Sequence, residues 1–219
     1  MGSALLALLI LLVPQADILT NVEIGKKLQE LALMGPQQHE ERVRLLWTLM
    51  MRSVQGDPNA HKIGKPHAER LKEEDPMDYY ARFAYGYFRY RETWDTADPV
   101  TRTRRLQEGR KNMLEATQMG GRNPGFLLDA GLVLSNLRTE ADLFKTALNT
   151  LTLARRTFGD AFQELPPERQ ADWFAAMAQA FLKLDLHELA RDHYQKAYEL
   201  APDSPSGRKA HAWLRTHGG

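Results

Sequence analysis

Eight positions between residues 171 and 204 constrain this chain more than anything else in it. Phe174, Met177, Ala178 and Phe181 are followed by Ala190, Tyr194, Ala197 and Pro202. The first four set large side chains around one small residue at three- and four-residue spacing, where neighbours share a helix face. The next three bracket an aromatic ring with alanines, and a proline closes the segment where a helix cannot continue. Two helices that interlock through large residues and approach closely at small ones fit this pattern. A strand does not.

The remaining chain agrees. Ile24, Leu28, Leu31 and Ala32 recur at helical spacing and stop at Gly35-Pro36. Val43, Leu46, Trp47, Met50 and Val54 form a second stripe ending at Gly56-Asp57-Pro58, so residues 17–55 read as an N-terminal helical hairpin. From 56 to 76 the chain is polar. Pro58, Pro66 and Pro76 with Gly56 and Gly64 predict a loop or linker there, holding at most a short helix over 67–74. Further helices are separated by turn signals at Asp98-Pro99, Gly120-Gly121, Asn123-Pro124-Gly125, Gly159, Pro166-Pro167 and Pro202, and no segment sustains period-two alternation. The expected fold class is all-α.

Residues 171–204 strongly resemble the helix pair of the tetratricopeptide repeat (TPR), matching its size pattern at all eight positions in 34 residues. Two looser copies lie upstream. Leu127, Ala130, Gly131 and Leu134 precede Ala147, Leu151 and Ala154, the second helix arriving four residues late. Tyr80, Phe83, Ala84 and Tyr87 precede Gly109, Met113 and Ala116, with thirteen extra residues between the helices. Putting Gly86 in the small slot is disfavoured, because Arg82 and Arg89 would then fall at buried positions. The anchors Tyr80, Leu127 and Phe174 are each 47 residues apart, a period that also suits two-helix repeats of the HEAT type.

The resemblance implies antiparallel helix pairs over 77–121, 124–159 and 171–204, stacked as a short right-handed superhelical solenoid and closed by a capping helix and tail over 205–219. It also implies a non-enzymatic interaction scaffold whose first helices line a groove for a partner protein or peptide segment. The family's groove positions carry over to Ala81, Tyr85, Phe88 and Arg89 in the first pair, Leu128, Leu132, Ser135 and Asn136 in the second, and Ala175, Gln179 and Lys183 in the third. The paired Lys and Asn by which some members clamp a terminal carboxylate are missing there, so that ligand is not expected. Eight aromatic residues, from Tyr79 to Trp94, surround the first helix of the first pair, more than one core stripe accounts for. That helix is the expected partner contact.

Chemistry finds little purchase. The chain has no cysteine, which excludes thiol nucleophiles and thiolate metal sites. His187-Glu188 opens like a zinc-protease helix, but Arg191 stands where the second histidine belongs. His187 and His193, like His211 and His217, are six residues apart and fall on different helix faces, so no metal is expected. Gly25-Lys26 and Gly64-Lys65 lack the earlier glycine of a phosphate loop. No Gly-x-Ser-x-Gly occurs, and the reading is of a protein that is not an enzyme and carries no cofactor. The alternative from another class is a helical small-molecule binder or enzyme accessory subunit with a pocket near the 55–76 loop.

Charge and the N-terminus bear on partners and place. With 29 basic and 28 acidic residues the net charge is +1, so no overall field draws nucleic acid. Arg102, Arg104, Arg105, Arg110 and Lys111 leave a weak nucleic-acid reading through residues 102–111. Ala4 to Val13 is ten apolar residues, the length of a secretory signal core and short of the roughly 20 that span a bilayer. Residues 1–16 read as a signal peptide, although Pro14 and the lack of a preceding Lys or Arg fit poorly. Membrane attachment through the N-terminus is the other reading. The expected location is exported or membrane-associated, periplasmic if the source is bacterial, with the cytoplasm as alternative.

Overall fold

The helices begin where the side chains can satisfy a first turn. Thr20 accepts from the Glu23 amide while Glu23 reaches back to Thr20, and Asp57, Asp78, Asp98 and Asn123 each accept a backbone N–H two or three residues on. Pro58, Pro99 and Pro124 follow three of these caps, at the one helical position where a missing N–H costs nothing. The structure, a computed structural model, describes residues 19–137 and 141–217. Ten α-helices and no strand occur among them, as the all-α reading expects. The apolar run and its signal-peptide reading lie outside the described residues, and no described helix is long and apolar enough to cross a membrane.

Two compact units divide at Gly120 and Gly121. The first holds α1 (Asn21–Met34), α2 (His39–Val54), α3 (Pro58–Glu74), α4 (Tyr79–Arg91) and α5 (Pro99–Met119). Helix α3 occupies the segment expected to be a loop. Its Ala60, Gly64, Ala68 and Leu71 recur every three or four residues and are buried, so α3 lies close against its neighbours. A Cβ on Gly64 would come within 2.5 Å of the Phe88 ring. Pro66 is tolerated because it is exposed, as is Lys62, whose carbonyl loses its donor and meets water instead.

Helix α4 is the centre of this unit, packed by α2, α3 and α5. Phe83, Tyr87, Phe88 and Tyr90 are all at most 2% exposed. Trp47 of α2 meets the rings of Tyr80 and Phe83 at 5.0 and 5.7 Å, and the Ser53 and Tyr87 hydroxyls lie 3.2 Å apart. The small residue at the α4–α5 crossing is Gly86, not Ala84: a Cβ there would sit 2.7 Å from the Gly109 carbonyl oxygen and 2.8 Å from the Met113 amide nitrogen. The objection from Arg82 and Arg89 fails because both, though mostly buried, pair with glutamates of α5, Arg82 with Glu115 and Arg89 with Glu108.

The second unit holds α6 (Pro124–Ser135), α7 (Ala141–Phe158), α8 (Pro167–Leu182), α9 (His187–Leu200) and α10 (Pro205–His217). Helix α8 touches the other four. Ala178 and Ala190 are fully buried, Gly131 lies against Leu151, and Trp173 Nε1 donates to the Leu151 carbonyl at 2.8 Å. Helix α10 closes on the α8–α9 core through Ala210 and Trp213, the latter 5.1 Å from the Tyr194 ring.

Candidate partner-binding face

Three helices of the second unit carry parallel stripes at i, i+3, i+7 spacing: Asp129, Leu132 and Asn136 at α6, Asp172, Ala175 and Gln179 on α8, and Ser206, Lys209 and Trp213 on α10. Side chains join the first residues of each stripe. Arg169 pairs with Asp129, which is almost wholly buried, and reaches Asp172 at 3.4 Å, while the Ser206 hydroxyl donates to Asp172 Oδ1 at 2.6 Å. Asp129 first, then Asp172, strengthens the hold of Arg169 on its proton against the effect of burial. Burial raises the Asp172 carboxyl above the ordinary range, outweighing Ser206 and Arg169.

About 10 Å further along α8, roughly two turns, the face changes character. The Lys209 ammonium donates to Gln179 Oε1 and, at 3.4 Å, to Asn136 Oδ1. Asn136 is itself oriented, since its amide donates to the Leu132 carbonyl at 2.7 Å. Lys183 lies one turn beyond Gln179, its ammonium 5.8 Å from the Phe144 ring. Removal from water, then the Lys183 charge, lowers the Lys209 pKa. Among the described residues no carboxylate pairs with either lysine, whose recorded partners are neutral amides and a ring. One end of the face thus holds two carboxylates around one arginine, and the other two ammonium groups.

The residues expected to line a groove separate into two sets. Leu132 and Gln179 are half-buried and Asn136 and Lys183 exposed, all in the second unit, where Lys209 draws Asn136 and Gln179 together. Phe88 and Leu128 are interior side chains, at 0% and 1% exposure, and line no open groove. Tyr85 is also buried. Its hydroxyl donates to Glu108, the Lys72 ammonium lies 4.0 Å from its ring, and burial followed by Glu108 raises its pKa. Arg89 is held between Glu92 at 2.7 Å and Glu108 at 2.8 Å. Enclosure by three helices makes the aromatic helix a core element of its unit. Lys209, Arg169 and Ser206 escape the sequence reading because they stand outside the expected groove positions.

A second polar cluster lies in the first unit. His39, Asp75 and Asp78 bring one ligand atom each within 4.8 Å of one another. His39 Nε2 lies 2.7 Å from Asp78 Oδ2, the other Asp78 oxygen accepts the Ala81 amide, and one Asp75 oxygen accepts the Met77 amide. The group ties the start of α2 to the α3–α4 turn. The other histidines mostly pack on rings, His193 against Phe181, His211 on Tyr198 and His217 on Trp213. No protein-family model, curated protein or solved structure matches this chain.

Proposed function

We propose that this protein is a non-enzymatic interaction scaffold, its second unit a tetratricopeptide-type stack that holds an extended segment of a partner protein across α6, α8 and α10. The observation that carries this reading is that side chains link three stripes across α6, α8 and α10, Arg169 joining Asp129 to Asp172, Ser206 bonding Asp172, and Lys209 bonding Asn136 and Gln179. In this reading α6, α8 and α10 are the first helices of successive pairs, α7 and α9 back them, and α10 closes the array. Asn136, Gln179, Lys183 and Leu132 are the partner-binding residues. Tyr85, Phe88, Arg89 and Leu128 serve the scaffold itself.

The alternative readings fall in the first unit. A small-molecule binder with a pocket near residues 55–76 is one alternative, and that segment is helix α3, its Gly64 covered by Phe88. Of the basic residues at 102–111, Arg105 bonds the Thr96 hydroxyl at 2.7 Å and Lys111 lies 3.8 Å from Glu115, which leaves a sparse patch for a phosphate backbone.

The test is obstruction. Gln179→Trp places a large ring on the half-exposed middle of the face without entering the core. Partner capture from a lysate, or selection from a random peptide library, should drop at least about tenfold relative to the unaltered chain, with the melting temperature unchanged. Undiminished capture by a folded Gln179→Trp protein would overturn the proposal.

A further inference from the structure

We infer that the cleft where α7, α8 and α9 meet is a binding site for a small aromatic acid that also carries a hydroxyl or N–H donor. The site is separate from the partner face and stands whether or not that face holds a segment.

Position comes first. Gln170 and Phe174 are one turn apart on α8 and lie nearly opposite Asp172 and Gln179 around the helix. A cleft of about 350 Å³ opens beside them, bounded by Arg155 of α7, Phe162 of the short 3-10 helix Gly159–Glu164, and Lys196, Glu199 and Leu200 of α9. That volume falls at the small end of the range for ligand pockets. Its apolar part is Phe162, which is buried, with Phe174 and Leu200, which are half-buried. Trp173 packs on both phenylalanines, at 5.6 and 4.9 Å, so the two rings are held in place.

The polar groups on this cleft are fixed and partly unused. Gln170 is 8% exposed, and its amide nitrogen donates to the Gln163 and Leu165 carbonyls at 3.2 and 2.9 Å. Those two bonds orient the amide. Its oxygen accepts no hydrogen bond within the described chain and is not sealed from solvent, so it opens on the cleft that Gln170 lines. An acceptor this enclosed gains from a donor brought by a ligand. The Arg155 guanidinium lies 4.3 Å from the Phe162 ring and spends one nitrogen on the Gly159 carbonyl at 2.7 Å. Stacked in this way, it keeps its other N–H groups for an anion. The Lys196 ammonium lies 5.6 Å from the Phe174 ring, and among the described residues neither cation has a carboxylate partner. Glu199 is the one acid lining the cleft, and one of its oxygens already accepts from Gln195 at 2.7 Å.

These groups describe a ligand by its parts. A flat ring suits Phe162, Phe174 and Leu200, an acid group suits Arg155 and Lys196, and a hydroxyl or N–H suits the Gln170 oxygen. A neutral ring leaves both cations unanswered, and a cationic one meets them as like charges.

The experiment titrates the full chain calorimetrically with 6-hydroxy-2-naphthoate, its primary amide and its 6-methoxy ether. The hydroxy acid is expected to bind about tenfold tighter than the amide at low salt, the preference shrinking as salt rises. It should bind roughly fivefold tighter than the methoxy acid, which has no donor for Gln170. Arg155→Gln with Lys196→Gln should erase the preference over the amide. Should that pair fold poorly, Lys196→Gln alone, at an exposed position, should weaken the hydroxy acid severalfold. Glu199→Gln should tighten it, because the only acid on the cleft is then gone. Failure of the hydroxy acid to bind at millimolar concentration overturns the inference, as do equal binding of acid and amide, equal binding of hydroxy and methoxy acids, or a weaker affinity in Glu199→Gln. Gln179→Trp obstructs the opposite face of α8 and should leave the affinity within about twofold. A larger loss there places the probe on the partner face and overturns the assignment to this cleft.

Discussion

Helices α4 and α8 are each the most surrounded element of their unit, and they are built in opposite ways. Helix α4 turns large rings outward on every side, and α2, α3 and α5 close over them. Its arginines find partners within the unit, Arg82 on Glu115 and Arg89 on Glu92 and Glu108. Helix α8 uses small residues instead. Ala171, Ala175, Ala176, Ala178 and Ala180 are all buried, so four neighbours approach closely, yet Asp172, Gln179 and Lys183 keep access to solvent. Charge on a surrounded helix thus has two fates. On α4 it is consumed internally, and on α8 no carboxylate among the described residues pairs with the lysine end. In the proposed scaffold, a partner has something to gain at the second.

The largest effect that separates the two helices is removal of a ring from α4. Phe88→Ala should cost about 4 kcal/mol in urea unfolding, since it deletes a fully buried side chain packed on Gly64 and 5.6 Å from His61. A cost below about 1 kcal/mol would mean that α4 is not the enclosed core element described. Gly86→Ala comes next, at about 3 kcal/mol, because the added methyl meets main chain on α5 at Gly109 and Met113, which cannot swing away as a side chain can. Ala84→Gly cannot produce that clash, so the pair of substitutions decides which residue marks the crossing.

The second unit has its own vulnerable point, where polarity and not volume is at stake. Asp129→Ala leaves Arg169 with only the longer contact to Asp172, and should cost about 2 kcal/mol, between the exposed and fully buried cases. If Asp129→Ala unfolds the protein as readily as Phe88→Ala, the polar end of the face is a keystone of the unit and not a feature of its surface.

Acid should also divide the units. Glu41 and Glu74 are held below the ordinary carboxylate range by Arg44 and Arg42; for Glu92 and Glu108 burial pushes upward and is outweighed, by Lys65 in one and by Tyr85 and Arg89 in the other. All four lie in the first unit. A depressed carboxyl contributes stability that is present above its unfolded pKa and lost as pH falls through the folded one. Asp172 in the second unit is raised, so its contribution has the opposite sign, present below the unfolded pKa and lost as pH rises through the folded one. Hydrogen exchange as pH falls below about 4.5 should therefore speed up in α2–α5 before α6–α10. Simultaneous loss would show that the units do not open independently.

Much of this architecture was legible in the chain. Asp or Asn followed by Pro marks three helix starts, and the alanine and aromatic spacing of α8 and α9 marks a close-packed pair. Helix α3 was not legible, because its buried stripe of Ala60, Gly64 and Ala68 has no hydrophobic signal and gains meaning only opposite Phe88. The aromatic helix misleads for a related reason. Periodicity counts the rings on α4 but cannot reveal that Trp47 and Ser53, more than thirty residues earlier, cover them. Arg82 and Arg89 argue against the Gly86 register when each is weighed as a lone charge, and for it once Glu115 and Glu108 are in place. Gln179 and Lys183 stand at positions that the family resemblance implies, whereas the approach of Lys209 to Gln179 requires the packing of α10.

The smallest expected effect is the most discriminating. Gln179→Ala with Lys183→Ala should change stability by no more than about 0.5 kcal/mol, because neither side chain is in the core and neither holds a carboxylate among the described residues. The sign is informative. Gln179 accepts from Lys209, so its loss should cost a little, whereas loss of the Lys183 charge relieves a neighbour of like sign and should return it. The singles should therefore move the melting temperature in opposite directions and the double should nearly cancel. If both singles destabilise, Lys183 has a partner on the folded chain, the lysine end is already neutralised as α4 is, and the contrast between the two helices collapses.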